Sequence, residues 1–267
     1  MKAGKVGVKK LSNTVLNQIT HYREDVIVGA GIGEDSAVVD FGDDSLVISS
    51  DPITGAAENA GYLAVNVACN DIASTGAVPV GIEVILLLPT NFPEQKTISL
   101  MKEIDQSAKK INVEILGGHT EVLDLVSAPI IVVTAIGRVN KGKHISTSNA
   151  QNGDDIILTK GAGIEGTYIL GNDFSELLEK KGIKKSLINN VKFYKRKISV
   201  INEGKIAAEN GANALHDVTE GGVYGAVEEM ALASGLGFEI YKDQVIINEE
   251  TDKICKALDL DPLGLIS

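Results

Sequence analysis

The stretch ENAGYLAVNVACNDIASTGAVPVGIE, residues 58–83, carries one charged side chain, Asp71, between its two terminal glutamates. Leu63, Val65, Val67, Ala68 and Ile72 cover most of its circumference if it is helical. Asn59, Asn66, Asn70 and Ser74 recur at spacings of seven, four and four, which places them on one polar stripe. A helix that is apolar over most of its surface is buried. The pattern predicts a buried helix over Glu58–Thr75, closed by Gly76 and Pro79, and then a buried strand over Val80–Leu88. A lone carboxylate near the end of such a helix costs free energy unless it is paired or bound to a cation. Asp71 is therefore either a partner for a neighbouring element or a distant base, or a metal ligand.

Outward from this segment, Ser36–Phe41 and Ser45–Ser50 read as a hairpin turning at Gly42-Asp43-Asp44. Pro93–Ile111 has the period of an amphipathic helix, and Val113–Leu116 and Ile130–Val139 read as strands. Residues 1–24 read as an arm with a helix over Ser12–Tyr22, and Val26–Gly33 as a loop. The order β-β-α-β-α-β-β predicts an α+β layer with a largely antiparallel sheet. The polar, small-residue stretch Asn140–Gly153 reads as a boundary, giving domains 1–145 and 146–267. The second half is expected to hold strand Asp155–Thr159, a glycine turn, helices to about Asn210, strand Ala212–His216 and helix Gly222–Ala233. Its last residues, DPLGLIS, read as a domain cut short.

Aromatic residues make up 4 % of the chain and Trp is absent, so a core must come from Val, Ile, Leu and Ala. Acidic residues outnumber basic ones 36 to 25, for a net charge of −11, which disfavours nucleic acid and anionic membranes as partners. A nucleotide remains compatible, provided metal ions stand between carboxylates and phosphates. Two cysteines, Cys69 and Cys255, exclude a disulfide framework or a cysteine metal cluster. No apolar run spans a bilayer and the N-terminus lacks a signal core, so a cytoplasmic location is expected.

Three further carboxylates sit where predicted strands meet glycine turns. They are Asp35 in GEDSAV, Asp51 after LVISS, and Glu121 after Gly117-Gly118-His119-Thr120. Strand ends of this kind gather ligand-binding loops, and paired glycines let backbone amides approach phosphates. An oxygen-rich set without cysteine suits Mg²⁺. Each acid alone also reads as a turn residue or cap. His119 reads as a general base, a phosphate contact or simply a satisfied hydrogen-bonder. In HDVTEGG, Asp217 or Thr219 is placed to cap the helix that follows, and the same helix N-terminus suits an anion. Gly161 and Gly163 belong to GAGIEG, which matches the dinucleotide fingerprint. The fingerprint also needs a second strand ending in an acid, and SELLEKKGIKKS is polar and helical instead. A nicotinamide reading therefore fails on context, and the turn is left to meet phosphate or to pack tightly.

Taken in order, GEDSAV, SSDPITG, NDIASTGAVPVG, GGHTEV, TKGAGIEGT and HDVTEGGV resemble the aminoimidazole ribonucleotide synthetase (PurM) superfamily. That group includes HypE, thiamine-monophosphate kinase, selenophosphate synthetase and formylglycinamidine synthetase. The resemblance covers about residues 30–225 and is strongest to a HypE-like branch related to hydrogenase maturation. It implies a two-domain PurM-like fold, whose N-terminal α/β domain dimerises into a β-barrel and whose C-terminal α/β domain faces a second substrate. It implies an ATP- and Mg²⁺-dependent enzyme of ligase, cyclo-ligase or HypE type. Such an enzyme activates an amide or carbonyl oxygen, or transfers phosphoryl to a small or protein-carried acceptor. Matching positions are Asp35, Asp51, Asp71 and Glu121 for metal, and Asn70, Gly117, Gly118, Thr120, Gly161 and Gly163 for the nucleotide, with His119 and Asp217 in catalysis. A non-catalytic nucleotide-binding scaffold and a thiamine-monophosphate kinase-like phosphotransferase are the alternatives. The departures are specific. Thiamine kinases carry two adjacent aspartates where Glu34-Asp35 stands and an aspartate at His119, and the purine enzyme has a glutamate there. Selenophosphate synthetases carry an N-terminal Cys or selenocysteine, whereas no cysteine precedes Cys69 here. HypE carries a cysteine on its terminal tail, whereas Cys255 falls in a predicted helix.

Overall fold

A computed structural model describes residues 6–54 and 59–267. The helix predicted from residue 58 forms as α2, Ala60–Ala73. Glu58 lies outside the described residues. Twelve of the fourteen residues of α2 are buried, Asp71 among them. Around it the first half supplies strands β1 (Val26–Val28), β2 (Ala37–Phe41), β3 (Asp44–Ile53), β4 (Val78–Pro89), β5 (Glu114–Leu123) and β6 (Ile130–Asn140), with helices α1 (Val8–Thr14) and α3 (Glu94–Lys110). They form one sheet in the order β1-β2-β3-β6-β4-β5. All neighbours run antiparallel except β4 and β5, which run parallel. The parallel step follows from the α3 crossover, because a helix must intervene before the chain can return in the same direction.

The core lies between the sheet and the α2–α3 layer, and is built from side chains such as Val47, Val65, Ile72, Ile82, Leu86, Ile104 and Val133. Val38, Val47, Val84 and Val133 point to the helices, while Leu46, Ile48, Ile85, Val132 and Ile136 alternate to the other face. That outer face is mostly apolar, crossed by a polar row of Ser50, Thr134 and Glu83, and none of the described helices packs on it.

Four expectations need correction. The arm forms α1 at Val8–Thr14 and a short 3-10 turn at Leu16–Gln18, so the helix starts earlier and ends sooner than Ser12–Tyr22. Val26–Val28 is an edge strand on β2, not loop. β5 does not stop at Leu116 but continues through Gly117–Leu123, because parallel pairing to β4 supplies the hydrogen bonds that glycines by themselves do not favour. Asp155–Thr159 and Ala212–His216 are not strands. No strand occurs after Asn140 among the described residues, so these apolar runs have no ladder to join.

The second half is helical: α4 (Ile164–Asp173), α5 (Ser175–Lys180), α6 (Lys185–Val191), α7 (Ile201–Glu209), α8 (Gly222–Ser234) and α9 (Glu249–Leu258). Among the described residues no helix is long and apolar enough to cross a membrane.

Candidate functional site

The polar stripe of α2 is the seam between the two halves. Asn59 accepts from Lys195 Nζ at 2.6 Å. Asn70 donates to the Ile198 carbonyl at 2.9 Å and accepts from the Val200 amide at 2.8 Å. Gly204 of α7 lies against α2 so closely that a Cβ there would sit 2.3 Å from the Ala73 carbonyl oxygen. Both ends of the Asn70 amide are thus used by backbone, which makes this side chain a clip between the halves.

At the next residue of α2, four carboxylates meet. Asp71 comes from the end of the helix. Asp51 is on β3, opposite Val133, on the face turned to α2. Asp35 comes from the loop before β2, where its Oδ2 accepts from Ser74 Oγ at 2.9 Å. Asp217 comes from the loop before α8. The buried Ser49 hydroxyl donates to Asp71 Oδ2, and Ser36 Oγ donates to the Asp71 carbonyl at 3.0 Å. Burial pushes the Asp71 carboxyl well above the usual carboxylate range, and the charges of Asp217, Asp51 and Asp35 push it further. Burial and Asp35 likewise push Asp217 up to about 8. Carboxylates that raise one another in this way are best accommodated, once ionised, with a cation among them.

His216 was not singled out from sequence, yet it is central. Its Nδ1 lies 2.7 Å from Asp35 Oδ1, and its Nε2 lies 3.2 Å from Glu229 Oε2 of α8. Burial opposes its charge, but the hydrogen bonds to Asp35 and Glu229 outweigh this and hold its pKa up at about 10. Asp35, His216 and Asp217 each offer a ligand atom, all within 4.8 Å of one another. Its adjacency to Asp217 was the available signal, but helix capping already explained that loop.

The loop holding Asp35 is itself strapped to the second half. Gly33 has φ +77°, and a Cβ there would meet the Glu229 carbonyl oxygen at 2.5 Å. Glu34 accepts from Ser146 Oγ at 2.5 Å and from the Ser148 amide at 3.3 Å.

The remaining predicted positions lie elsewhere. Gly117, Gly118, His119, Thr120 and Glu121 are consecutive on edge strand β5. Asp51, Val133, Val84 and Gly118 are successive partners across the sheet, so β5 is three strand spacings, about 14 Å, from Asp51. His119 and Glu121 stand opposite Ile85 and Leu87, on the face away from α2, and lie 3.5 Å apart. Within one chain they do not join the four aspartates. Gly118 has φ +148° and lets β4 approach, since a Cβ there would lie 1.9 Å from the Val84 carbonyl oxygen. Gly161 and Gly163 have positive φ and pack against Ile246, Asn248, Thr251 and Leu265. Their spacing serves close packing in the second half.

A carboxyl also escaped the sequence reading. Glu165, in the first turn of α4, is 5 % exposed. Burial, helped by the charge of Glu220, raises its pKa to about 7.

The donor set fits a hard divalent ion. It is oxygen-rich and buried, and no Lys or Arg contacts these aspartates among the described hydrogen bonds and ion pairs.

Comparison with known proteins shows the family. Residues 33–139 match the family described as AIR synthase related protein, N-terminal domain, and residues 151–267 match its C-terminal domain. A hydrogenase expression/formation protein of Methanocaldococcus jannaschii is 33 % identical over 271 residues, covering 98 % of this chain and 77 % of the relative. The carbamoyl dehydratase HypE of Azotobacter vinelandii is 28 % identical over 222 residues, covering 82 % of this chain and 62 % of that protein. The chain thus spans about three-fifths of the HypE length. Among solved structures, HypE in complex with ATP superposes with a TM-score of 0.69 at 21 % identity, covering 99 % of this chain and 76 % of that one. The thiamine-monophosphate kinase of Aquifex aeolicus superposes with a TM-score of 0.73 at 18 % identity, covering 100 % and 86 %. At such identities these two establish the fold. With both family domains matched in order along most of its length, the chain belongs to the AIR synthase related family and has the two-domain PurM-like fold.

Proposed function

We propose that this chain is an ATP- and Mg²⁺-dependent enzyme of the HypE kind, which activates an amide or carbonyl oxygen on a small or protein-carried acceptor. The observation that carries the reading is the convergence of Asp35, Asp51, Asp71 and Asp217 from four separate segments onto the buried end of α2. Nothing in folding alone rewards four mutually repelling carboxylates, whereas a cation against a triphosphate does. Relatives named carbamoyl dehydratase and a solved HypE–ATP complex support this choice. The relatives supply no support for the ligase or cyclo-ligase class. Glu34 stands where thiamine kinases carry a second aspartate, and here Ser146 and Ser148 engage it, which favours the HypE reading over the kinase one.

Mg²⁺, when bound, neutralises charge building on the phosphate oxygens. The chain's own part is positional. Asp71, oriented by Ser49, and Asp51 present oxygens from the first half. Asp35 and Asp217 present theirs at the seam. Asp71 and Asp217, whose burial favours the protonated form, would have to release those protons to hold the ion. The acceptor approaches from the second half, past Asp217.

The reading includes a homodimer. The uncovered, mostly apolar outer face of the sheet is the surface a second copy would cover, in line with the family barrel. Exposed apolar residues continue onto its edge, with Val80 41 % and Leu116 54 % exposed. His119 and Glu121 share this face and edge, so their assigned roles in phosphate or proton handling depend on the paired chain.

Calorimetric titration of ATP with Mg²⁺ into the intact chain, repeated with Asp71→Asn, tests the reading. Binding is expected in the first and its loss, with folding retained, in the second. No binding to the intact chain would end it.

A further inference from the structure

We infer that His216 is a positioning residue for the cation site, fixing the Asp35 carboxylate across the seam without itself ligating the ion. The inference rests on the cation reading above. Three side chains that could hold an ion stand together in Asp35, His216 and Asp217, and an imidazole is a common ligand. The hydrogen bonds decide against that role. A ligating histidine needs one ring nitrogen with a free lone pair. Here Nδ1 faces Asp35 at 2.7 Å and Nε2 faces Glu229 at 3.2 Å. Each ring nitrogen is thus already engaged by a carboxylate at hydrogen-bond distance, which leaves neither directed at an ion.

Asp35 in turn receives two donors from opposite halves: Ser74 Oγ of α2 at 2.9 Å and His216. These fix the rotation of its carboxylate. Glu229 anchors the far side of the ring to α8, the same helix whose backbone meets Gly33. The chain Ser74–Asp35–His216–Glu229 therefore sets where one ligand of the site points, and does so only while the halves stay together. Partners of this kind around a metal ligand are worth ten- to a hundredfold in affinity.

The test uses Mn²⁺ as probe, read by the electron paramagnetic resonance of free Mn²⁺ without nucleotide. His216→Asn puts an amide nitrogen near the Nδ1 position and keeps the bond to Asp35. His216→Gln puts it near Nε2, keeping Glu229 and losing Asp35. Binding about tenfold weaker or more is expected in His216→Gln, and within about threefold of wild type in His216→Asn. A merely structural role would weaken both alike, and that result overturns the inference, as does tighter binding in His216→Gln. Electron spin echo of bound Mn²⁺ is expected to lack imidazole nitrogen coupling, and a coupling that vanishes in His216→Gln would make it a ligand. If the histidine variants do not fold, Ser74→Ala removes the other donor to Asp35 and is expected to weaken binding about threefold. Unchanged affinity there overturns the inference too. A wild-type chain that takes no Mn²⁺ removes both this inference and the reading beneath it. A wild type that binds, with equal affinities in the variants, removes this inference alone.

Discussion

Replacing Glu165 by Gln should make the protein more stable as the pH rises. Glu165 sits in the first turn of α4, 5 % exposed, beside the charge of Glu220. Its pKa goes from the model-peptide 4.5 to about 7 on folding. The folded state therefore binds this proton more tightly than the unfolded state does. The group favours folding least where the unfolded chain has released the proton and the folded chain must follow. Its contribution is intact below about pH 4.5, falls through the window up to about 7, and is fully lost above it. The full shift corresponds to about 3 kcal/mol, and about 2 kcal/mol of it separates about pH 5.5 from about pH 8.5. Gln keeps the shape and cannot ionise. Any cost of its own buried amide is the same at both pH values and cancels. Urea unfolding of wild type and Glu165→Gln at the two pH values is the assay. The variant should gain about 2 kcal/mol relative to wild type on going from the lower to the higher. A stability difference independent of pH would refute the reasoning, because it would mean that Glu165 titrates alike in both states.

Asp71→Asn removes a carboxyl that burial and its acidic neighbours hold well above the usual range, so the cation-free protein should melt higher at neutral pH, while added Mg²⁺ should raise the melting temperature of wild type and leave the variant unmoved in scanning calorimetry. Gly118→Ala puts a Cβ 1.9 Å from the Val84 carbonyl oxygen and should cost about 3 kcal/mol by chemical denaturation, as β5 is forced away from β4. Ile85→Glu places a charge on the uncovered sheet face, where Ile85 is 36 % exposed; sedimentation should show a dimer in wild type and a folded monomer in the variant.

Asp71 was legible because a single acid in an apolar helix has few ways to be tolerated, and α2 and the β2–β3 hairpin were legible because their periods are clear. That Asp35 and Asp51 would reach it came from the family resemblance alone, which gave Asp217 a catalytic role instead, since strand order and the strap at Gly33 are tertiary facts that spacing does not show. The runs at Asp155–Thr159 and Ala212–His216 carry a strand's composition, but a strand exists only where a neighbour offers its ladder. GGHTEV failed in the opposite sense: its glycines lower the local preference for strand, and pairing to β4 overrides it. His216 and Glu165 were hidden by their neighbours. A capping motif accounted for the first and a glycine fingerprint drew attention from the second, although Glu165 is the same kind of signal as Asp71, an isolated acid on a buried helical turn.

The clip made by Asn70 has a consequence for observation. Asn70 is next to Asp71 in the chain, and its side-chain oxygen holds the amide of Val200, more than a hundred residues away. Whatever shifts the end of α2 reaches that one N–H directly. Its exchange with heavy water would then serve as a built-in gauge of whether the acidic cluster is filled, readable in a chain carrying no label or added probe.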